Sequence, residues 1–230
     1  MKTARILILL TALFAYSGCA ENSSNAPSYN NEFSVDDELV QLTASIADMP
    51  VGTIDQSTID GLTHMREEEK LARDVYQHLS DTYGTVIFSN IARSEARHMD
   101  AIKTLLDRYG IADPVVSDAR GVFGDQHFTD LYTQLTVAGD ANLNAALTAG
   151  ATIEDLDIKD LMDRSIGMTA QDILLVYGNL TRASQNHLRA FAGQLTANGA
   201  SYIPQFISQT LYDSILAGQQ GNGRGRGRRG

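Results

Sequence analysis

Ile91-Ala92-Arg93-Ser94-Glu95-Ala96-Arg97-His98-Met99-Asp100-Ala101-Ile102 sets two ionisable side chains into an apolar helical seam. The seam runs Phe88, Ile91, Glu95, His98, Ile102, Leu105 and Tyr109, in alternating steps of three and four. That spacing belongs to a helix packed into a bundle. Taking a carboxylate and an imidazole out of water costs several kcal/mol unless each finds a partner. A Glu-x-x-His in such a seam is therefore a candidate metal site whose remaining ligands must come from facing helices.

Three more long helices are predicted. The first starts near Ser57 or Thr58 and runs to Tyr83, with Gly84 as its stop and Leu62, Met65, Glu69, Ala72, Tyr76, Leu79 and Tyr83 as its seam. The helix at 87–109 carries the opening motif and stops at Gly110. Residues 111–124, with Pro114 and two glycines, read as a crossover, and 125–138 as a short helix within it. A third long helix at 140–163 has Leu143, Leu147, Gly150, Glu154, Asp157 and Leu161 in its seam. The fourth follows Gly167, with Thr169 as cap, and ends near Ala197 before Gly199. Its seam is Ile173, Tyr177, Leu180, Ser184, His187, Phe191 and Leu195. Short helices are expected at 34–49 and 204–216, and no strand pattern is found. The fold class is all-α.

Ionisable groups thus occupy all four seams: Glu69, Glu95 with His98, Glu154 with Asp157, and His187. One polar seam residue is usually a satisfied core group, but six converging ones need a matched hydrogen-bond network or a cation. Four crowded carboxylates repel strongly unless cations neutralise them. Oxygen and imidazole donors suit iron, manganese or zinc, and the lack of thiolates argues against a soft-ligand or iron–sulfur site. An internal polar network is the alternative.

The pattern resembles the ferritin-like superfamily of di-iron and di-manganese carboxylate proteins, built from Glu on two helices and Glu-x-x-His on two others. Glu69-Lys-Leu-Ala-Arg-Asp-Val-Tyr76 is similar to the first-helix Glu-x-x-Ala-Arg-x-x-Tyr of rubrerythrin-type members, and Glu95-Ala-Arg-His98 to their second-helix motif. More closely, residues 57–216 resemble the DUF2202 family of ferritin-like proteins. Ala-Gly-Ala-Thr-Ile-Glu-Asp-Leu-Asp-Ile-Lys-Asp-Leu and Ser-Gln-Asn-His-Leu-Arg-Ala-Phe carry that resemblance. It implies a ferritin-like four-helix bundle with a long crossover and flanking short helices. It further implies a carboxylate-bridged pair of metal ions, iron first and manganese or zinc as alternatives. The implied reaction is oxidation of Fe(II), or reduction of peroxide or dioxygen. One position departs: Ser184 stands where the fourth helix should carry its glutamate. Either Asp157, one turn after Glu154, substitutes, or only the position made by Glu69, Glu95 and His98 is complete. A non-catalytic envelope protein, either metal-binding or a binding module with a degenerate metal site, is the second reading.

Among the neighbours, Tyr76 and Tyr177 either hydrogen-bond a ligand or simply pack. Glu67, Glu68, Asp155 and Asp160 read as solvated helix faces, and His64, His78 and His127 as surface residues off the seam. Arg97 and Arg189 either balance the acidic core from outside or are merely exposed.

The two ends are of a different kind. Lys2 and Arg5 precede an apolar run at 6–16, a signal-peptide pattern too short for a stable membrane anchor. Tyr16-Ser17-Gly18-Cys19 resembles a lipobox, with Tyr16 departing from the preferred Leu. Cys19 is the sole cysteine, which fits lipidation and leaves no intramolecular disulfide. The expected organisation is a signal peptide at 1–18, a lipidated tether and short helix at 19–56, the ferritin-like domain at 57–216 and a Gly/Arg tail at 217–230. The expected location is the cell envelope, periplasmic or outer-membrane in a Gram-negative cell. A formal charge of −10 speaks against nucleic acid as partner of the whole chain. Arg224, Arg226, Arg228 and Arg229 make the tail basic, for solubility or for an anion at the cell surface. The remaining expected partners are the membrane, through Cys19, and a second copy of the chain.

Overall fold

Capping side chains and glycines set the helix ends. The computed structural model describes residues 35–218, with side chains from 41 onward; the expected signal peptide, Cys19, the expected tether up to residue 34 and the Arg/Gly tail from residue 219 lie outside the described residues. The elements are α1 (Val35–Ala47), α2 (Gln56–Tyr83), α3 (Val86–Tyr109), α4 (Gln126–Gly139), α5 (Leu143–Ser165), α6 (Gln171–Ala197) and α7 (Gln209–Ala217). No strand occurs among the described residues. The carboxylate of Asp55 accepts from Thr58 N at 2.8 Å to start α2, and Gly84, at φ 63°, takes the left-handed turn that ends it. Asn142 caps α5 in the same way, accepting from Ala145 N at 2.9 Å.

Two side-chain ties fix the helix directions. At the end of α3, Arg108 Nε and Tyr109 OH each donate to Asp172 in the first turn of α6, both at 2.9 Å. At the end of α2, Tyr83 OH donates to Gly139 O at 2.7 Å, just before α5 begins. So α3 runs antiparallel to α6 and α2 antiparallel to α5, which leaves α3 and α5 pointing the same way. A 24-residue helix such as α3 is about 36 Å long. The connection between α3 and α5 must therefore travel the length of the bundle, with α4 as part of it. The result is an all-α four-helix bundle with a long crossover and short flanking helices.

The crossover explains the first correction. Glu67 and Glu68 are buried, not solvated, as are Arg66, Lys70, Arg73 and Asp74 on the same helix. Arg66 grips Asp113 through two bonds of 3.1 and 3.0 Å, and Arg73 Nη1 donates to Asp118 at 2.6 Å. Lys70 Nζ donates to Asp74 at 2.5 Å and to Ala119 O at 2.9 Å, while Gly121 N donates to Asp74 at 2.9 Å. Glu67 accepts from the backbone N–H groups of Gly124 and Asp125. The charged face of α2 is thus the floor on which the crossover lies.

Asp155 is also fully buried instead of solvated. It accepts from Tyr202 OH at 2.7 Å and from the backbone N–H groups of Gln205, Phe206 and Ile207 at 2.5, 3.1 and 2.9 Å. Those contacts hold 205–207 in an irregular turn. The last helix accordingly starts at Gln209, capped by Ser208, and not at 204. Thr169 does not cap α6 either: the N-cap is Ala170, without a side-chain bond.

Two apolar clusters fill the bundle. Leu71, Val75, Tyr76, Leu79, Phe88, Leu147 and Phe191 belong to one. Leu62, Met65, Ile102, Leu105, Leu161, Ile173 and Tyr177 belong to the other. Gly150 allows α5 and α6 their close approach, since a Cβ there would sit 2.6 Å from the Phe191 ring. On α2, α3 and α6, Glu69, Glu95 with His98, and His187 lie between the two clusters, and on α5 Glu154 and Asp157 lie between Ile153 and Ile158 of the first.

Candidate metal centre

Each seam delivers its polar residue to this middle layer. Glu69, Glu95 and Glu154 are 2%, 1% and 2% exposed, and His98 is 8% exposed. The His187 side chain is 13% exposed, so one side of the layer lies nearest to solvent.

Two triads form, and they share a member. Glu69, Glu95 and His98 offer ligand atoms within 4.8 Å of one another, and so do Glu95, Glu154 and His187. In the first, His98 Nδ1 lies 2.6 Å from Glu95 Oε2 and 3.3 Å from Glu69 Oε2. In the second, His187 Nδ1 lies 2.9 Å from Glu95 Oε1 and 3.4 Å from Glu154 Oε2. The two imidazoles are stacked, centroids 5.7 Å apart and 23° between planes. Glu95 therefore presents one oxygen to each half.

These contacts are close ion pairs without hydrogen-bond geometry. Glu69 Oε1, Glu95 Oε1, His98 Nδ1 and His187 Nδ1 are buried with no hydrogen-bond partner among the described residues. Leaving such a group unsatisfied costs about 1–3 kcal/mol each, more when it is charged. Metal bonds of about 2.1 Å put neighbouring donors about 3.0 Å apart at right angles and about 3.4 Å apart in a tetrahedron. Three of the four separations fall close to that range, and the 2.6 Å pair is tighter. Donor chemistry, orphaned lone pairs and spacing all fit a metal ion in each triad.

The electrostatics point the same way. Burial works against the charged form of each histidine, yet Glu95 and Glu69 hold His98 well above its usual range. Glu95 and Glu154 bring His187 up to about 9. Glu95 keeps its charge below the ordinary carboxylate range, because His98 and His187 outweigh its burial. Burial raises Glu69 to about 8, and the Glu95 charge adds to that effect against the pull of His98. Glu154 also shifts upward, mainly by burial. These shifts favour protons on His98, His187 and Glu69.

Asp157, the sixth expected ligand, is buried but joins neither triad. Ser184 Oγ donates to its Oδ2 at 2.5 Å, and its Oδ1 has no hydrogen-bond partner. Burial, then the charges of Glu69 and Glu68, raise it well above the usual range. Tyr76 does reach one of the expected ligands, donating to Glu154 Oε1 at 2.5 Å, with Gly150 O at 3.2 Å. Tyr177 packs in one of the apolar clusters. Arg189 donates to Ile215 O at 3.0 Å, tying α6 to α7, and Arg97 is half-buried.

A further group escaped the sequence reading: His64, Glu68 and Asp160, between α2 and α5. The only available signal was His64 and Glu68 lying four apart on one helix face. His78 pairs with Asp140 at 2.8 Å, and His127 is half-buried.

The family described as "Uncharacterized protein domain (DUF2202)" matches residues 58–219. The uncharacterized protein MJ0754 of Methanocaldococcus jannaschii is 47% identical over 182 residues, which cover 79% of this chain and 98% of that protein. The crystal structure of hypothetical protein MJ0754 from Methanococcus jannaschii matches with a TM-score of 0.73, over 74% of this chain and 97% of that one.

Proposed function

The chain belongs to the DUF2202 family, and we propose that its bundle is ferritin-like and holds a dinuclear carboxylate-bridged metal centre. The metal is proposed to be iron, with manganese or zinc as alternatives. The observation that carries this reading is the single carboxylate, Glu95, common to two buried Glu/His triads. A redox-active metal pair held there would accept electrons from Fe(II) and pass them to dioxygen or peroxide, which is reduced.

The residues around it have definite tasks in that reading. Glu95 spans both positions, while Glu69 with His98 and Glu154 with His187 complete one position each. Tyr76 fixes one oxygen of Glu154 and so aims the other. Asp157, its carboxyl raised well above the usual range by burial and by the charges of Glu69 and Glu68, and with Oδ1 unpartnered, is a further group in the layer suited to take up a proton beside Glu69. Apolar clusters on both sides keep bulk water away. Export through the signal peptide and a lipid anchor at Cys19 would place this chemistry at the cell envelope.

Metal analysis of protein from its own host tests the proposal directly, with oxygen consumption measured on adding Fe(II). Two metals per chain and catalytic turnover are expected. Glu95→Ala combined with His98→Ala should abolish metal uptake in this layer. Full metal content at this layer in that double variant would sink the assignment.

One observation favours a second reading, a non-catalytic envelope metal-binding protein. The serine at 184 binds Asp157 in place of supplying a second bridging carboxylate. One metal or none, without turnover, would support it.

A further inference from the structure

We propose that His64, Glu68 and Asp160 form a third cation site, separate from the inner layer, for a single divalent transition-metal ion. His64 and Glu68 stand one turn apart on α2, and Asp160 faces them from α5. His64 Nε2 lies 3.3 Å from Glu68 Oε2 and 3.2 Å from Asp160 Oδ2. Those separations lie between the right-angled and tetrahedral spacings expected around a metal with bonds of about 2.1 Å. One imidazole and two carboxylates are a borderline donor set that suits zinc, manganese or ferrous iron.

The second observation is Glu68 itself. It is 3% exposed, and neither of its oxygens has a hydrogen-bond partner among the described residues. A protonated His64 does not resolve this, because one Nε2–H cannot serve two carboxylates that both lie at similar distance. A cation can serve both.

The site is built to be reached from outside. The His64 and Asp160 side chains are 32% and 26% exposed, so water can complete the coordination on that side while Glu68 closes it from within. The His64 ring leans on Phe128, centroids 5.1 Å apart, which restricts its orientation. Arg164 and Lys159 are cations that act on Asp160; Arg164 Nη2 stands 3.6 Å from Asp160 Oδ2, beyond hydrogen-bond range, and leaves that oxygen open to a metal. Among the described residues, this group shares no member with the two inner triads.

The test uses the full chain and Co(II) and Zn(II) as probes. Calorimetric stoichiometry on the wild type should exceed that of His64→Ala/Asp160→Asn by one equivalent. Both substituted residues are partly exposed, and thermal melts would establish that the variant folds. In Glu95→Ala/His98→Ala the outer equivalent should persist, which separates failure of this site from failure of the inner centre. Anomalous diffraction from cobalt-loaded wild-type crystals should show a peak bounded by the three side chains. Equal stoichiometry in wild type and His64→Ala/Asp160→Asn, or no anomalous peak there at saturating cobalt, would overturn the proposal.

Discussion

Glu154 and Tyr76 show how single residues share the work in the polar layer. The phenol donates to one carboxylate oxygen at 2.5 Å, and the other oxygen faces His187. Tyr76→Phe removes that donor from a site where water has no access, for Tyr76 is fully buried. The metal-free variant should lose about 1–2 kcal/mol in urea denaturation. Metal affinity at the position made by Glu95, Glu154 and His187 should fall roughly tenfold in a chelator competition. A stability loss with unchanged affinity would reduce Tyr76 to a packing role. At this scale the sequence was informative about burial and less so about partners. The three-and-four spacing located Glu69, Glu95, His98, Glu154 and His187 correctly in facing seams. It also placed Asp157 inside, but spacing could not show that Ser184 on the opposite helix would hold Asp157 away from both triads. That outcome depends on a side chain whose hydroxyl has no periodic signature.

At the scale of the element, the misread residues are charged ones buried under irregular chain. Glu67 and Asp155 sit on helix faces that look solvated because nothing periodic packs on them. Their partners are backbone N–H groups of the crossover and of the segment after α6. Such partners carry no sequence pattern, which is why the start of α7 was misplaced by several residues. The same geometry predicts a local effect. Asp155→Ala would strand the Tyr202 hydroxyl and three consecutive backbone donors at 205–207. Since Gln205 is exposed, the segment should open and hydrate, at a cost of about 2–4 kcal/mol. Hydrogen exchange should accelerate from 202 to 217 and stay unchanged in the core of α2 and α3. Asp155→Asn, which keeps an acceptor, should recover part of the loss. Uniform acceleration across the bundle would show that Asp155 supports the whole fold and not one segment.

For the whole molecule, the protons held in the polar layer couple folding, metal and pH. His187 is brought up to about 9, His98 is raised well above its ordinary value, and Glu69 is brought up to about 8. His64, outside the layer, is raised to about 9 by Asp160 and Glu68 against its burial. In the unfolded chain the histidines release their protons near pH 6.5 and Glu69 near 4.5. Between about pH 6.5 and 9 the native metal-free protein therefore holds more protons than the unfolded one. Under that condition stability falls as pH rises. The His187 and His64 contributions are fully present below about pH 6.5 and are lost as pH climbs through 9, and His98, raised well above its ordinary value, adds to the same trend; the Glu69 contribution declines from about pH 4.5 and is gone above about 8. Glu95 has the opposite sign, its pKa being depressed, but its contribution changes only below the ordinary carboxylate range, outside this window. Metal ions in the layer replace the protons on His98, His187 and Glu69, so the loaded protein should show a much flatter profile. Melting temperatures from pH 6 to 9.5, with and without metal, check this: the metal-free curve should descend steeply and the loaded curve much less. Calorimetry of metal uptake at pH 7.5 in buffers of different ionisation enthalpy should report protons released as each metal binds. A flat metal-free curve, together with uptake that releases no protons, would mean that His98, His187 and Glu69 are not where the cations go.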